Sequence, residues 1–221
     1  MSGKLKIMIV KYINAPHVDV AQLSELFDKE NIQPCPISEV NWPDDYPYNP
    51  DVKFRMAHNG KCILIEYIVK EDYVRAMAGE DNGHVWEDSC VEMFISFDDS
   101  HYYNIECNCA GKVLLACGPN RNERTYSCPE KVGMIKRAPS ISDNEPFDNR
   151  KAPSEWRMRL VVPVEAFFND DIQDLRGKTA TANFYKCGDK LPVPHFLSWK
   201  PIHKPTPDFH LPEYFGEIVF A

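Results

Sequence analysis

Residues 85–98 read VWEDSCVEMFISFD. Val91, Met93, Ile95 and Phe97 recur at period two, and Cys90, Glu92, Phe94, Ser96 and Asp98 fall between them. That alternation predicts a β-strand with one face on a core. It does not account for Trp86, Glu87 and Asp88 at the start of the segment, nor for the carboxylate of Glu92 inside it. The apolar face reads as structure. The tryptophan and the carboxylates call for a second reason.

The same grammar extends to both sides. Residues 52–69, VKFRMAHNGKCILIEYIV, place Asn59-Gly60 between two apolar runs, and that pair tolerates the positive φ of a tight hairpin. Residues 102–118, YYNIECNCAGKVLLACG, predict a second hairpin turning near Ala110-Gly111. EWRMRLVVPV (155–164), KTATANFYKCG (178–188), HFLSWKPI (195–202) and FGEIVFA (215–221) read as further strands, with a short helical turn from Glu165. The polar stretch after Gly118 is too long for a plain loop, so a strand is expected near residues 132–137. Before residue 52, Ile7 to Val10 read as a strand. Asp19 caps one short helix running to Glu30, with Val20, Leu23, Leu26 and Phe27 on one face. Five prolines between residues 31 and 52 mark a crossing loop. Eight or more strands, one short helix and no βαβ rhythm predict an all-β fold, an antiparallel β-sandwich of two packed sheets. The 221 residues are expected to form a single domain, with 1–40 an N-terminal extension packed on a sandwich over 41–221.

Composition narrows the function. A net charge of −8 without a Lys/Arg cluster excludes a nucleic-acid binder, and no apolar run is long enough for a bilayer. The four apolar residues 7–10 are too few for a signal peptide and no Asn-x-Ser/Thr sequon occurs, so the chain is expected to be cytoplasmic. Eight cysteines without a C-x-x-C are then expected as reduced thiols, most of them packed in the core. G-x-S-x-G, P-loop, H-E-x-x-H and G-x-G-x-x-G signatures are absent.

On the strand after Tyr102, the polar residues Asn104, Glu106 and Asn108 alternate with an apolar face. Pairing with the preceding strand would set Glu92 on the same surface. An ordinary wet sheet face is one reading, but asparagine is poorly suited to strands, and two of them flanking a glutamate ask for a reason. A sugar supplies one: its C–H face wants a flat aromatic, and its hydroxyls want planar donors and acceptors. Burying roughly 80–100 Å² on each indole would contribute about 2 kcal/mol.

The segments YPYNPDVKFRMAHNGKCILIEYIVKE, VWEDSCVEMFISFD, YYNIECNCAG, GKTATANFYKCGD and HFLSWKPI…PDFHLPEYFGEIVF, taken together over about residues 40–221, resemble the family 9 carbohydrate-binding modules within the DOMON-like β-sandwich group. The resemblance is nearest to the stand-alone bacterial branch. It implies non-catalytic carbohydrate binding, with a mono- or oligosaccharide, often at its reducing end, held between two tryptophans, and a role in carbohydrate catabolism. Carried over by motif, Trp86 is one wall, Trp199 the second, Glu92 a hydroxyl-binding carboxylate, and Asn104, Glu106 and Asn108 polar ligands on the neighbouring strand. No cofactor is required. Structural calcium is compatible with the resemblance, with Asp98, Asp99, Glu80 and Asp81 as oxygen donors. Trp42 and Trp156 are assigned to packing. The alternatives are a glycoside hydrolase using a glutamate pair such as Glu92 and Glu106, a haem-binding domain, and a protein-interaction sandwich whose sugar site has decayed.

Overall fold

The computed structural model describes residues 7–141, 145–153 and 155–221. In chain order the strands are β1 (Met8–Tyr12), β2 (Cys35–Pro36), β3 (Glu39–Val40), β4 (Asp51–His58), β5 (Cys62–Lys70), β6 (Tyr73–Ala76), β7 (Cys90–Ser96), β8 (Tyr102–Asn108), β9 (Val113–Gly118), β10 (Thr125–Tyr126), β11 (Lys136–Pro139), β12 (Phe147–Lys151), β13 (Trp156–Pro163), β14 (Thr179–Cys187), β15 (Phe196–Ser198) and β16 (Gly216–Phe220). One sheet runs β10-β9-β8-β7-β14-β16-β1 and the other β1-β4-β5-β13-β11. β6 and β12 form a small two-stranded ribbon.

The sheets are antiparallel except at β1. Its first half runs parallel to β16 (Met8↔Ile218) and its second half parallel to β4 (Lys11↔Ala57), so one strand passes from sheet to sheet. The expected N-terminal strand is therefore the seam of the fold.

Period two then builds the core. Val91, Met93 and Ile95 of β7, Tyr103, Ile105 and Cys107 of β8, and Phe184 of β14 meet Phe54, Met56, Ile63, Ile65, Met158 and Leu160 from the second sheet. Trp156 is fully buried here and Trp42 is buried in a separate cluster on the first sheet's far side, both by packing. Phe54 and Phe184 stack across the core with centroids 4.0 Å apart. A charged group lies inside as well: the fully buried Lys186 Nζ is 2.9 Å from Glu71 and 2.8 Å from His195 Nε2. Burial pushes the Glu71 carboxyl up, but the Lys186 charge and the His195 contact outweigh it and hold it at about 2.

Asp19 caps as expected, its Oδ1 accepting the Ala21 N–H at 2.9 Å. A 3₁₀ turn at Val20–Gln22 leads into α1 (Leu23–Lys29). Leu23 and Phe27 cover Ala57, Leu64 and Val161 on the outer face of the second sheet.

Two local expectations change. Residues 129–134 form a second helix, α2 (Pro129–Met134), with proline at its first turn, and the expected strand starts only at Lys136. Proline lacks the N–H that a strand ladder needs and is suited to a helix start. The strand predicted from residue 85 begins at Cys90, because Val85–Glu87 is a 3₁₀ turn. Asp88 sets that boundary. Its buried carboxylate accepts the N–H groups of Met77 and Ala78, the Asn108 amide and the Arg75 guanidinium. Among the described residues no helix is long and apolar enough to cross a membrane, and the eight cysteines are free thiols.

Candidate functional site

The outer face of the first sheet carries the candidate residues. Register places Glu92 directly opposite Glu106 on β8 and opposite Tyr185 on β14. Asn104, Glu106 and Asn108 share that face, as period two requires. Over it lies a cavity of about 410 Å³, lined by Trp86, Glu92, Phe94, Glu106, Arg121, Arg124, Cys187, Asp189, Phe196, Pro207, Asp208, Phe209 and His210.

Trp86 reaches the cavity because its turn is tied down on β14 and the loop after it. Its carbonyl accepts from Asp189 N–H at 3.4 Å, and the Cys187 sulfur lies 3.5 Å from it. The Glu87 carbonyl accepts from Lys190 N–H at 3.1 Å, and the Glu87 carboxylate pairs with Lys190 Nζ at 2.8 Å. The indole is half-buried and stacks on His84 with centroids 4.6 Å apart. The three acids around Trp86 thus divide: Glu87 and Asp88 hold the turn, and Glu92 faces the cavity.

Glu92 and Glu106 are both almost fully buried. Burial, and for Glu92 the neighbouring Glu106 charge, raises its pKa well above the usual carboxylate range. Burial raises Glu106 too, against the opposing pull of the Asn104 amide and of Arg124 and Arg121. Two carboxylates facing each other out of bulk water cannot both ionise cheaply. Cys187 Sγ donates to Glu92 Oε1 at 2.9 Å, and Asn104 donates to Glu106 Oε1 at 2.7 Å. Asp189 is pushed up to about 6, chiefly by burial.

The opposite rim is basic. Arg124, with its side chain 13% exposed, sits 3.7 Å from Glu106 and donates to His210 Nε2 at 3.2 Å. Burial, with Arg124 and Arg121 nearby, lowers His210 to about 2, so the ring is neutral. Its Nδ1 then carries the proton and donates to the Tyr102 hydroxyl at 2.8 Å. Arg121 is the more exposed and lies 3.6 Å from Asp208.

The structure gathers some of the expected residues and not others. Trp86, Glu92 and Glu106 line one cavity. Asn104 adjoins it through Glu106, and its buried Oδ1 has no hydrogen-bond partner among the described residues. Asn108 is spent on structure, donating to Asp88 and accepting the N–H groups of Ala110 and Lys112 across the turn at Gly111. Trp199 is not brought to Trp86. Its ring packs edge-on against Phe184 and Phe54 and lines a different hollow, with Met8 and Met56. The reason is β15: it ends at Ser198, and the Trp199 N–H donates to the Phe184 carbonyl, which turns the side chain to the core side. Of the oxygens considered for calcium, Asp81 Oδ1 accepts from Arg137 and the Val113 N–H, and Asp98 Oδ1 accepts from Ser100.

Arg121, Arg124, Asp189, Phe196, Asp208, Phe209 and His210 were not singled out from the sequence. Phe196 opens β15, the others come from three loops with no periodicity, and only the sheet beneath places them around Glu106. The available signal was position: each loop leaves the end of a predicted strand, where a sandwich presents function.

The sequence profile described as carbohydrate-binding family 9 matches residues 21–220. No curated protein matches the chain. Among solved structures, a candidate carbohydrate-binding protein from Bacteroides uniformis ATCC 8492 is 46% identical with a TM-score of 0.94, covering 98% of this chain and 99% of that one. A family 9 carbohydrate-binding module from Caldicellulosiruptor kristjanssonii, in complex with cellotriose, aligns with a TM-score of 0.59 at 11% identity over 97% of this chain and 93% of that one. A family 9 module from the same organism, in complex with glucose, gives 0.56 at 14% over 98% and 96%. At those identities the last two share the fold.

Proposed function

The chain belongs to carbohydrate-binding family 9, and we propose that it binds a mono- or oligosaccharide without transforming it, in the cavity walled by Trp86 and floored by Glu92 and Glu106. The family is a non-catalytic one, which removes the glycoside hydrolase alternative for the glutamate pair. The Caldicellulosiruptor modules, one holding cellotriose and the other glucose, support a sugar as the ligand class.

The observation that carries the reading is the convergence in one cavity of an indole with a ring of planar polar groups. Trp86 offers its face to sugar C–H groups. Arg121 and Arg124 donate, Asp189 and Asp208 accept, and Glu92, held protonated, both donates and accepts. A cavity of about 410 Å³ fits a terminal sugar better than a long internal stretch of chain. Trp86 is its sole tryptophan lining, and the other apolar surface comes from Phe94, Phe196, Pro207 and Phe209. The site is therefore one indole facing phenylalanine and proline surface. Such a module serves carbohydrate catabolism by holding a glycan end.

The test is a titration of intrinsic tryptophan fluorescence with mono- and oligosaccharides, each beside its borohydride-reduced form. A saturable change lost on reduction is expected for recognition of a reducing end. A flat response across a broad panel would overturn sugar binding and favour a protein-interaction sandwich.

A further inference from the structure

We propose that Cys90, Cys187 and Glu92 form a binding site for a soft divalent metal ion, zinc by chemistry, at the floor of the cavity.

The strand register builds the tripod. Cys187 of β14 stands directly opposite Cys90 of β7, and Glu92 follows two residues along on the same face. The two sulfurs and one carboxylate oxygen lie within 4.8 Å of one another, and all three residues are buried. Tetrahedral zinc, with bonds of about 2.3 Å to sulfur and about 2.1 Å to oxygen, needs donors about 3.6–3.8 Å apart. Cys187 Sγ and Glu92 Oε1, now 2.9 Å apart, would separate by less than about 1 Å to admit the ion. Rotation of two side chains on a fixed sheet suffices.

The donor set selects the metal. Two thiolates with one carboxylate suit zinc and are a poor match for calcium or magnesium, which take oxygen. Three ionised donors side by side in a buried position are untenable without a cation. With no ion they share protons, as the thiol-to-carboxyl hydrogen bond shows, and metal binding would release them. Glu92 and Cys187 also line the cavity, so the fourth coordination position opens towards it and is filled by water or by a ligand hydroxyl. The proposal stands whether or not a sugar enters.

The test titrates the reduced, metal-free full chain with cobalt(II) in the absence of oxygen, then adds zinc. One equivalent of cobalt should give a thiolate-to-cobalt charge-transfer band with the visible bands of tetrahedral cobalt, and zinc should erase both. Cys90→Ser and Cys187→Ser should each abolish the charge-transfer band, while Cys128→Ser, at an exposed position, should keep it. If a serine variant does not fold, the wild-type chain decides: in mild denaturant that lets the buried thiols react, bound zinc should protect Cys90 and Cys187 from alkylation, read by peptide mass. No charge-transfer band, a band that survives both substitutions, or no protection by zinc would overturn the site.

Discussion

Glu92 and Glu106 face each other across adjacent antiparallel strands, each almost fully buried and each held above its ordinary pKa by burial. A raised acid keeps its proton in the folded chain at a pH where the unfolded chain has lost it. The folded state then binds more protons, and stability falls as pH rises from the unfolded value near 4.5 towards the folded one. Glu92→Gln removes one such group. Urea unfolding of both proteins, from about pH 5 to about pH 8, should show the stability difference moving in the variant's favour as pH rises. A parallel pair of curves would mean that Glu92 is ionised in the fold.

Trp86→Ala should weaken sugar binding and leave the fold intact. Losing roughly 80–100 Å² of stacking surface costs about 2 kcal/mol, roughly thirtyfold in affinity. The indole is half-exposed on a turn held by its backbone and by Asp88, so stability should change by under about 1 kcal/mol. Calorimetric titration beside thermal melting separates the two effects. Unchanged affinity would remove Trp86 from the site.

Trp199→Ala should do the reverse. This ring contacts Phe54 and Phe184 at the core edge, so its loss should destabilise the chain by about 2–3 kcal/mol. Sugar affinity, compared at a temperature where both proteins are folded, should stay within about twofold. A large loss of affinity would place Trp199 at the ligand.

Lys186→Ala should be more damaging than its conservative appearance suggests. It leaves the buried Glu71 charge without its lysine partner, with the Trp156 N–H and His195 still beside it, at a cost of about 3 kcal/mol. Glu71→Gln combined with Lys186→Met should recover much of that loss. Because Glu71 is held at about 2 in the fold, against an ordinary value of 4.5, the pair's contribution should be present above about pH 4.5 and fade as pH falls to about 2. Denaturant midpoints across that window would show it.

The sequence by itself determined most of the long strands, their inward faces and the hairpin at Asn59-Gly60, because side-chain alternation is a local consequence of the pleat, whereas a short strand such as β12 shows no such pattern. It also determined that Glu92, Asn104, Glu106 and Asn108 would share a face once β7 and β8 paired. Trp86 was legible for the same reason: it precedes an alternating strand and has no place in the alternation. What only the tertiary structure decided is which loops close over that face. Arg124, Asp189 and His210 are far apart along the chain and meet because the sheet under them does. Trp199 packs at the core edge because one backbone hydrogen bond to Phe184 sets the side on which its ring falls. Asn108, equal to Asn104 in the pattern, became a turn brace because Asp88 and two backbone N–H groups use both ends of its amide. Periodicity assigns a residue to a face, whereas its partners across the fold assign it a role.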